Sequence, residues 1–439
     1  SRMPDSLAAA LDAECSACLM GARRLSEPSQ RYGRETVEAA FDAILDKTTE
    51  TYRREILSKI PTGTYVWEDY AEHDGVDEPK LHTQRITLIK EETGGPGNGP
   101  RLIIDFTGTA PQAKGPINHC GDYVGGNFLK KWLAPILRNL ADTPERMAEL
   151  DVNEGIVPLI EMRFPPKGPL LTPIYPAPTN ARTFVILRLL GVLAGVVAKA
   201  VDGQMPADQE TIRYTGVYGK DMDDNDYLMR EVLGGGSGGR YYADGEDTIH
   251  VVPDSRNLPT EFTESRFPFI VERLGLAVDS GGAGRYRGGL GYEKHLRMLK
   301  DARFMSIADR SILACWGVKG GKAGRPFEVT IDLGGPDERM VDALADAEVV
   351  EAGQIIRIRT TGGGGWGDPL ERPYDEVERD LRWGKVSFDG ARESYGVVAG
   401  GTKDDVTIDA AASDALRAEM RSARGEEAFF DRGPGYARL

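Results

Sequence analysis

Ser280-Gly281-Gly282-Ala283-Gly284-Arg285-Tyr286-Arg287-Gly288-Gly289-Leu290-Gly291 carries six glycines in twelve residues. Glycine permits positive φ and close approach of the backbone to a ligand or to another strand. Two further runs share this character: Gly234-Gly235-Gly236-Ser237-Gly238-Gly239-Arg240 and Gly362-Gly363-Gly364-Gly365-Trp366-Gly367-Asp368. A phosphate loop needs GxxxxGK[ST] leading into a helix, and none of the runs supplies the Lys-Ser/Thr pair. A dinucleotide fingerprint needs a βαβ unit with an acidic residue downstream, and that setting is missing too. The runs read as tight corners between short strands, so residues 214–368 form a glycine-rich β body and no nucleotide-binding loop is expected.

Around this body the period of the sequence changes. Residues 7–25 and 35–60 read as helices, the second with Ala39, Ala40, Ile44, Leu45 and Ile56 on one face; Pro61-Thr62-Gly63 ends it. Residues 64–68, 83–89 and 102–106 read as strands, the last two flanking the hairpin signal Gly94-Gly95-Pro96-Gly97-Asn98-Gly99-Pro100. Helical patterns return over 123–140 and 180–201. Short surface helices are expected over 375–383 and 389–395, and the polar stretch after Val398, helical over 411–424, reads as an appended tail. The class is α+β: a mixed and antiparallel, glycine-rich β body with segregated helices. The expected units are a helical segment 1–60, a β-hairpin unit 61–110, a mixed segment with a buried helix 111–205, the β body 206–370, short helices 371–400 and the polar tail 401–439.

A chain of 439 residues is too long for one ordinary core and should form two or three packed units. It is 40% hydrophobic and 28% charged, as globular chains are. With 54 Lys+Arg against 69 Asp+Glu the net charge is −15, which argues against a nucleic-acid binder and against docking on an anionic membrane. The apolar run 184–201 is interrupted by Arg188 and Lys199 and reads as a core helix rather than a membrane span. The opening Ser1-Arg2-Met3-Pro4-Asp5 lacks the apolar stretch of a signal peptide, and four cysteines make a disulfide framework unlikely; the cytoplasm is the expected compartment.

Few residues point to chemistry. Cys15-Ser16-Ala17-Cys18 is a CxxC inside a helix pattern, without the second pair a zinc site needs. The five histidines, at 73, 82, 119, 250 and 295, show no paired spacing. Asn118-His119-Cys120-Gly121-Asp122 places an imidazole, a thiol and a carboxylate together, so His119 and Asp122 are the catalytic candidates, set against a loop histidine beside a capping Asp. Arg266, Asp309 and Arg310 could clamp an anionic group through the guanidinium fork, or could equally be ion pairs fastening a β-rich core. Arg240, which closes the first glycine run, joins them as a substrate-binding candidate.

Asp254-Ser255-Arg256-Asn257-Leu258-Pro259, Glu264-Ser265-Arg266-Phe267-Pro268 and the stretch from Asp279 to Gly289 resemble the hydantoinase B family. Asp105-Phe106-Thr107-Gly108-Thr109, Gly115-Pro116-Ile117-Asn118 and the Gly362 to Leu370 stretch are similar to its other signatures, so the resemblance runs to about Val398. That family includes the second half of 5-oxoprolinases and the metal-bearing subunit of acetone and acetophenone carboxylases. The resemblance implies a multi-subunit enzyme in which a hydantoinase A-type partner binds ATP with Mg. It also implies a transition metal (Mn, Zn or Fe) on His/Asp ligands upstream of the matched region. The opening looks like the middle of a family member, so the chain is expected to be the C-terminal part of a longer subunit, with no metal or cofactor of its own. Its partners would be the A-type subunit, the N-terminal part of its own subunit and, in a carboxylase, a small third subunit. Asp122 to Trp132, and Asn153-Glu154-Gly155-Ile156 in place of an Asn-Ala-Gly-Cys element, look more like the ketone-carboxylase branch. A biotin-independent ketone carboxylase is therefore the leading expectation. The alternatives are an ATP-dependent amidohydrolase of hydantoin, 5-oxoproline or lactam rings, and a non-catalytic scaffold subunit. Assembly contacts are expected along 35–60 and 128–140, with Leu129, Trp132, Leu133, Ile136 and Leu137 as anchors.

Overall fold

Apolar spacing and backbone breaks set the first third of the chain. The computed structural model describes residues 4–211, 213–250 and 256–439, so Asp254 and Ser255 of the first family signature lie outside the described residues. Helix α1 (Pro4–Tyr32) and α2 (Arg34–Thr51) join at Gly33, whose φ of 85° suits glycine. The helical path continues beyond α2 as a π-turn over Tyr52–Ile56 and a 3-10 turn over Leu57–Lys59. Apolar side chains are buried at this far end: Tyr52, Ile56, Leu57 and Ile60 enter the core, while Leu19 of α1 and Phe41 of α2 stay 73% and 51% exposed.

Strands β1 (Gly63–Ala71), β2 (His82–Glu91) and β3 (Arg101–Asp105) form an antiparallel sheet, to which β4 (Ile160–Arg163) adds parallel to β3. Burial alternates residue by residue along β2, the period of a strand with one face inward. Helix α3 (Asn127–Leu137) leads to the short α4 (Pro144–Glu149), capped by the Thr143 hydroxyl, which accepts from Arg146 N. Helix α5 (Thr183–Ala200) lies across β1 and β2, with α3 against it. This is the apolar run singled out in the sequence, and it sits inside the fold with Val185, Leu189, Val192 and Val196 in the core.

The β body is two facing antiparallel sheets. One has the order β13-β9-β5-β6, from β5 (Arg213–Lys220), β6 (Asp226–Leu233), β9 (Ala302–Ile307) and β13 (Leu344–Val350). The other has the order β12-β11-β14-β8-β7, from β7 (Phe269–Leu276), β8 (Tyr292–Met298), β11 (Glu328–Ile331), β12 (Arg339–Val341) and β14 (Ile355–Arg359). Val217, Met229 and Phe304 of the first meet Phe269, Leu296, Val329 and Ile356 of the second in one apolar core. Helix α6 (Thr260–Arg266) leads into β7.

The glycine runs meet one another beside these sheets. Gly239 N donates to Gly364 O at 2.8 Å, Gly363 N to Gly289 O at 2.9 Å, Gly289 N to Ser237 O at 2.8 Å and Gly282 N to Gly363 O at 2.8 Å. A Cβ at Gly363 would lie 1.9 Å from Ser237 O, which no side chain allows. The runs are packed backbone on backbone, and these amides are spent on each other rather than held open for a phosphate.

Helices α7 (Tyr374–Arg382) and α8 (Phe388–Tyr395) lie where the sequence placed short helices. The segment beyond them is not an appended tail, which corrects that expectation. Strands β15 (Val398–Thr402) and β16 (Asp405–Asp409) form a hairpin, and α9 (Ala410–Ala423) docks through Arg417, which donates to Tyr395 O and Arg372 O. Strand β17 (Phe430–Asp431) then pairs with β10 (Gly317–Val318). A polar composition hid the few anchors that tie this segment down.

Candidate functional site

The segment Met205-Pro206-Ala207-Asp208-Gln209-Glu210-Thr211 between α5 and β5 is laid against the glycine runs by its backbone. Ala207 N donates to Gly239 O at 2.9 Å, Glu210 N to Gly236 O at 3.1 Å, Asp208 N to Trp316 O at 3.0 Å, and Gly364 N to Asp208 O at 2.9 Å. It thereby becomes one wall of a cavity of about 290 Å³. Trp132 and Ile136 of α3 and Leu187, Leu190 and Gly191 of α5 supply apolar walls, and Arg240 stands at the edge. Two glycines make room for the carboxylates: a Cβ at Gly191 would come to 3.0 Å from Asp208 Oδ1, and one at Gly235 to 2.8 Å from the Glu210 side chain. Thr211 is buried, and its Oγ1 has no hydrogen-bond partner among the described residues.

Behind this wall lies a buried ion network. Arg310 pairs with Asp208 and, at 3.3 Å, with Asp69; Arg188 pairs with Asp309 and lies 3.6 Å from Asp69; Arg213 pairs with Glu210. Arg432, from the C-terminal segment, donates to Asp69 at 2.9 Å. Glu72 accepts from the Ser311 hydroxyl at 2.8 Å, Ile312 N at 3.0 Å and Leu313 N at 2.6 Å. Arg310 holds φ at 68°, a backbone cost that its neighbours must offset. Among the described residues, five carboxylates (Asp69, Glu72, Asp208, Glu210, Asp309) thus meet four guanidiniums (Arg188, Arg213, Arg310, Arg432), one negative charge in excess when all are ionised. The excess registers in the titration. Burial, then the Asp309 charge, raises the Glu72 carboxyl to about 7, and burial with the Asp69 charge raises Asp208 well above the carboxylate range.

Of the residues singled out in the sequence, Asp309 and Arg310 lie inside this network and Arg240 at the cavity edge, paired with Glu246 at 3.0 Å. Arg266 is elsewhere, exposed at the end of α6 with its guanidinium 5.8 Å over the Phe262 ring, beside a separate depression. His119 is buried with both ring nitrogens unpartnered among the described residues; burial, then the Arg182 charge, lowers its pKa to about 4. Asp122 pairs with Lys167 at 2.5 Å and not with His119, and Cys120 is exposed and free, so no dyad forms there. Cys15 and Cys18 are free and exposed on α1. Leu129, Leu133 and Leu137 pack into this chain's own core, which corrects their place among the expected assembly anchors; Trp132 and Ile136 line the cavity. Asp69, Glu72, Asp208, Glu210 and Arg213 went unnoticed in the sequence. Arg188 was visible as an interruption of an apolar helix, and a buried guanidinium requires carboxylates nearby.

Among the described residues no group of three or more His, Cys, Asp or Glu side chains is placed to hold a metal ion. The carboxylates that do converge surround arginines, whose charge opposes a second cation, so the transition metal that the resemblance implies does not fit here.

The Hydantoinase B/oxoprolinase family matches residues 1–369. The B subunit of a putative D-/L-hydantoinase from Pseudomonas sp. (strain NS671) is 29% identical over 90% of this chain and 66% of that protein, so the chain spans about two thirds of that relative's length. The crystal structure of ATP-dependent caprolactamase from Pseudomonas jessenii superposes with a TM-score of 0.75 at 25% identity, covering 93% of this chain and 69% of that one. Acetone carboxylase in its nucleotide-free structure shares the fold, with a TM-score of 0.74 at 19% identity over 93% of this chain and 59% of that one. The matched stretch takes in all three large sheets, the glycine runs and every wall of the cavity, and the chain belongs to the hydantoinase B/oxoprolinase family.

Proposed function

We propose that this chain is the B-type component of an ATP-dependent enzyme that opens a cyclic amide, with the cavity between α3, α5 and residues 205–211 as its substrate pocket. One observation carries this reading over ketone carboxylation. The polar wall of the cavity can accept as well as donate: Gln209 is exposed on it, and its side-chain amide offers both an oxygen and an NH2 group. A lactam or hydantoin ring brings an N–H to such a wall, whereas a ketone brings only a further acceptor. The similarity to the hydantoinase relative and to caprolactamase, at 29% and 25% identity, supports the same direction.

In this reading the chain's own residues bind and orient. The polar wall takes the ring N–H, Trp132 and Leu190 cover the ring's apolar face, and burial keeps water off the unreacted amide. ATP is assigned to an A-type partner subunit. The carboxylase reading retains the Asp122 to Trp132 and Asn153 to Ile156 departures in its favour. Co-purification of this chain with an A-type partner, followed by assay of ADP release, decides between them. Release dependent on caprolactam, hydantoin or 5-oxoproline is expected. Release that depends on acetone with bicarbonate, and on none of the amides, would overturn the proposal.

A further inference from the structure

We infer that a second cavity, where the start of α5 meets strands β5, β6 and β9, is a binding site for a compact oxyanion, a phosphate or a carboxylate, with the Arg230 guanidinium as its principal ligand. The strand register builds it. Tyr214 of β5 stands opposite Ile307 of β9 and Arg230 of β6 opposite Gly216, so the three side chains share one face of the sheet. Gly216 has no side chain to crowd Arg230, whose guanidinium lies 4.3 Å over the Tyr214 ring. Stacking on a ring engages the face of the guanidinium and leaves the N–H groups at its edge free to donate. Asn180, Thr183 and Phe184 complete the lining of a cavity of about 260 Å³.

The charge of this lining points to an anion. Among the described residues Arg230 is the one charged side chain that lines the cavity, and no carboxylate does. Arg188, Arg213, Arg310 and Arg432 are each spent on carboxylates, whereas among the described residues Arg230 has no ion pair or hydrogen bond. The Thr183 hydroxyl and the Asn180 amide, also without hydrogen bonds among the described residues, bring two neutral donors to the same cavity. Arg182, exposed between them in sequence and without a carboxylate partner among the described residues, adds a second positive charge, which acts on the buried His119. Unneutralised positive charge is thus gathered here in a chain of net charge −15. The volume is at the small end for ligand sites and limits the occupant to a compact molecule. This cavity shares no described lining residue with the one assigned to the cyclic amide, so the two readings stand or fall apart.

Calorimetric titration of the full chain with inorganic phosphate, butyrate and butylamine tests it, the first two separating a phosphate from a carboxylate site. Saturable binding of phosphate or butyrate is expected with a Kd of about 1 mM or tighter, and none of butylamine. Arg230→Gln, at an exposed position, should keep its circular dichroism and lose about tenfold or more in anion affinity, and Arg230→Lys, which keeps the charge without the fork, should fall between. Thr183→Val, which leaves Arg230 in place, should cost about threefold. Arg266→Gln, which removes an exposed guanidinium elsewhere, should change nothing. The site is overturned by the absence of saturable anion binding to the folded wild-type chain, by butylamine binding as well as the anions, or by a folded Arg230→Gln of undiminished affinity. An equal loss in Arg266→Gln would overturn it too, because the binding would then reflect diffuse surface charge.

Discussion

At Gly363 an added Cβ would lie 1.9 Å from Ser237 O, and at Gly288 2.0 Å from Gly363 O. Neither neighbour is the movable end of a side chain, so accommodation requires the backbone to part. Gly363→Ala is expected to cost about 3 kcal/mol or more in denaturant unfolding. Gly275→Ala, in β7 with open space around its Cβ position, should stay within about 0.5 kcal/mol. That these glycines serve packing was legible in the sequence from what the runs lack, a Lys-Ser/Thr pair and a following helix. Glu72 was not legible, because nothing local marks a carboxylate that will be buried against residues 311 to 313. Its folded pKa of about 7 lies above the ordinary value of 4.5, so the folded state holds the proton more tightly. Its contribution to stability is complete below pH 4.5 and fades as the pH rises toward 7. Urea unfolding from about pH 4.5 to about pH 7.5 should show wild type losing stability relative to Glu72→Gln across that window; parallel curves would contradict the assignment.

Elements declare themselves when one face is buried against something nearby. Strand β2 alternates, α5 is apolar almost all round, and the hairpin between β2 and β3 follows from Gly94 to Pro100; each is read within a dozen residues or so. Elements held from a distance do not declare themselves. Strand β4 joins the first sheet parallel to β3 across some fifty intervening residues, and β17 is two residues long. Yet β17 is an anchor: the Phe430 ring lies 3.9 Å from that of Trp67 and 5.0 Å from that of Trp316, and Arg432 beside it reaches Asp69. Phe430→Ala should therefore cost about 2 kcal/mol or more, measured by denaturant unfolding, where a free tail would lose nothing.

At the scale of the molecule, α1 and the start of α2 leave Leu11, Leu25 and Phe41 all more than half exposed. Most helical stability in proteins comes from packing an apolar face, so a covering surface is expected over these side chains. Leu11→Glu with Leu25→Glu should leave the melting temperature of the isolated chain unchanged and reduce the mass of the purified complex in light scattering. A fall in melting temperature with assembly intact would place that face in this chain's own fold. By itself the sequence determined most of the helices and strands β1 to β3, the segregation of helices from the β body, and the kinship with the family, because periodicity, turn residues and ordered signatures are local. Only the tertiary structure decided that Asp69, Glu72, Asp208, Glu210 and Asp309 converge on four arginines behind one cavity, and that Arg432 closes the network from the far end. Those partners lie up to more than three hundred residues apart, and their pairing follows from how the sheets, the glycine runs and α5 stack, which no local pattern encodes.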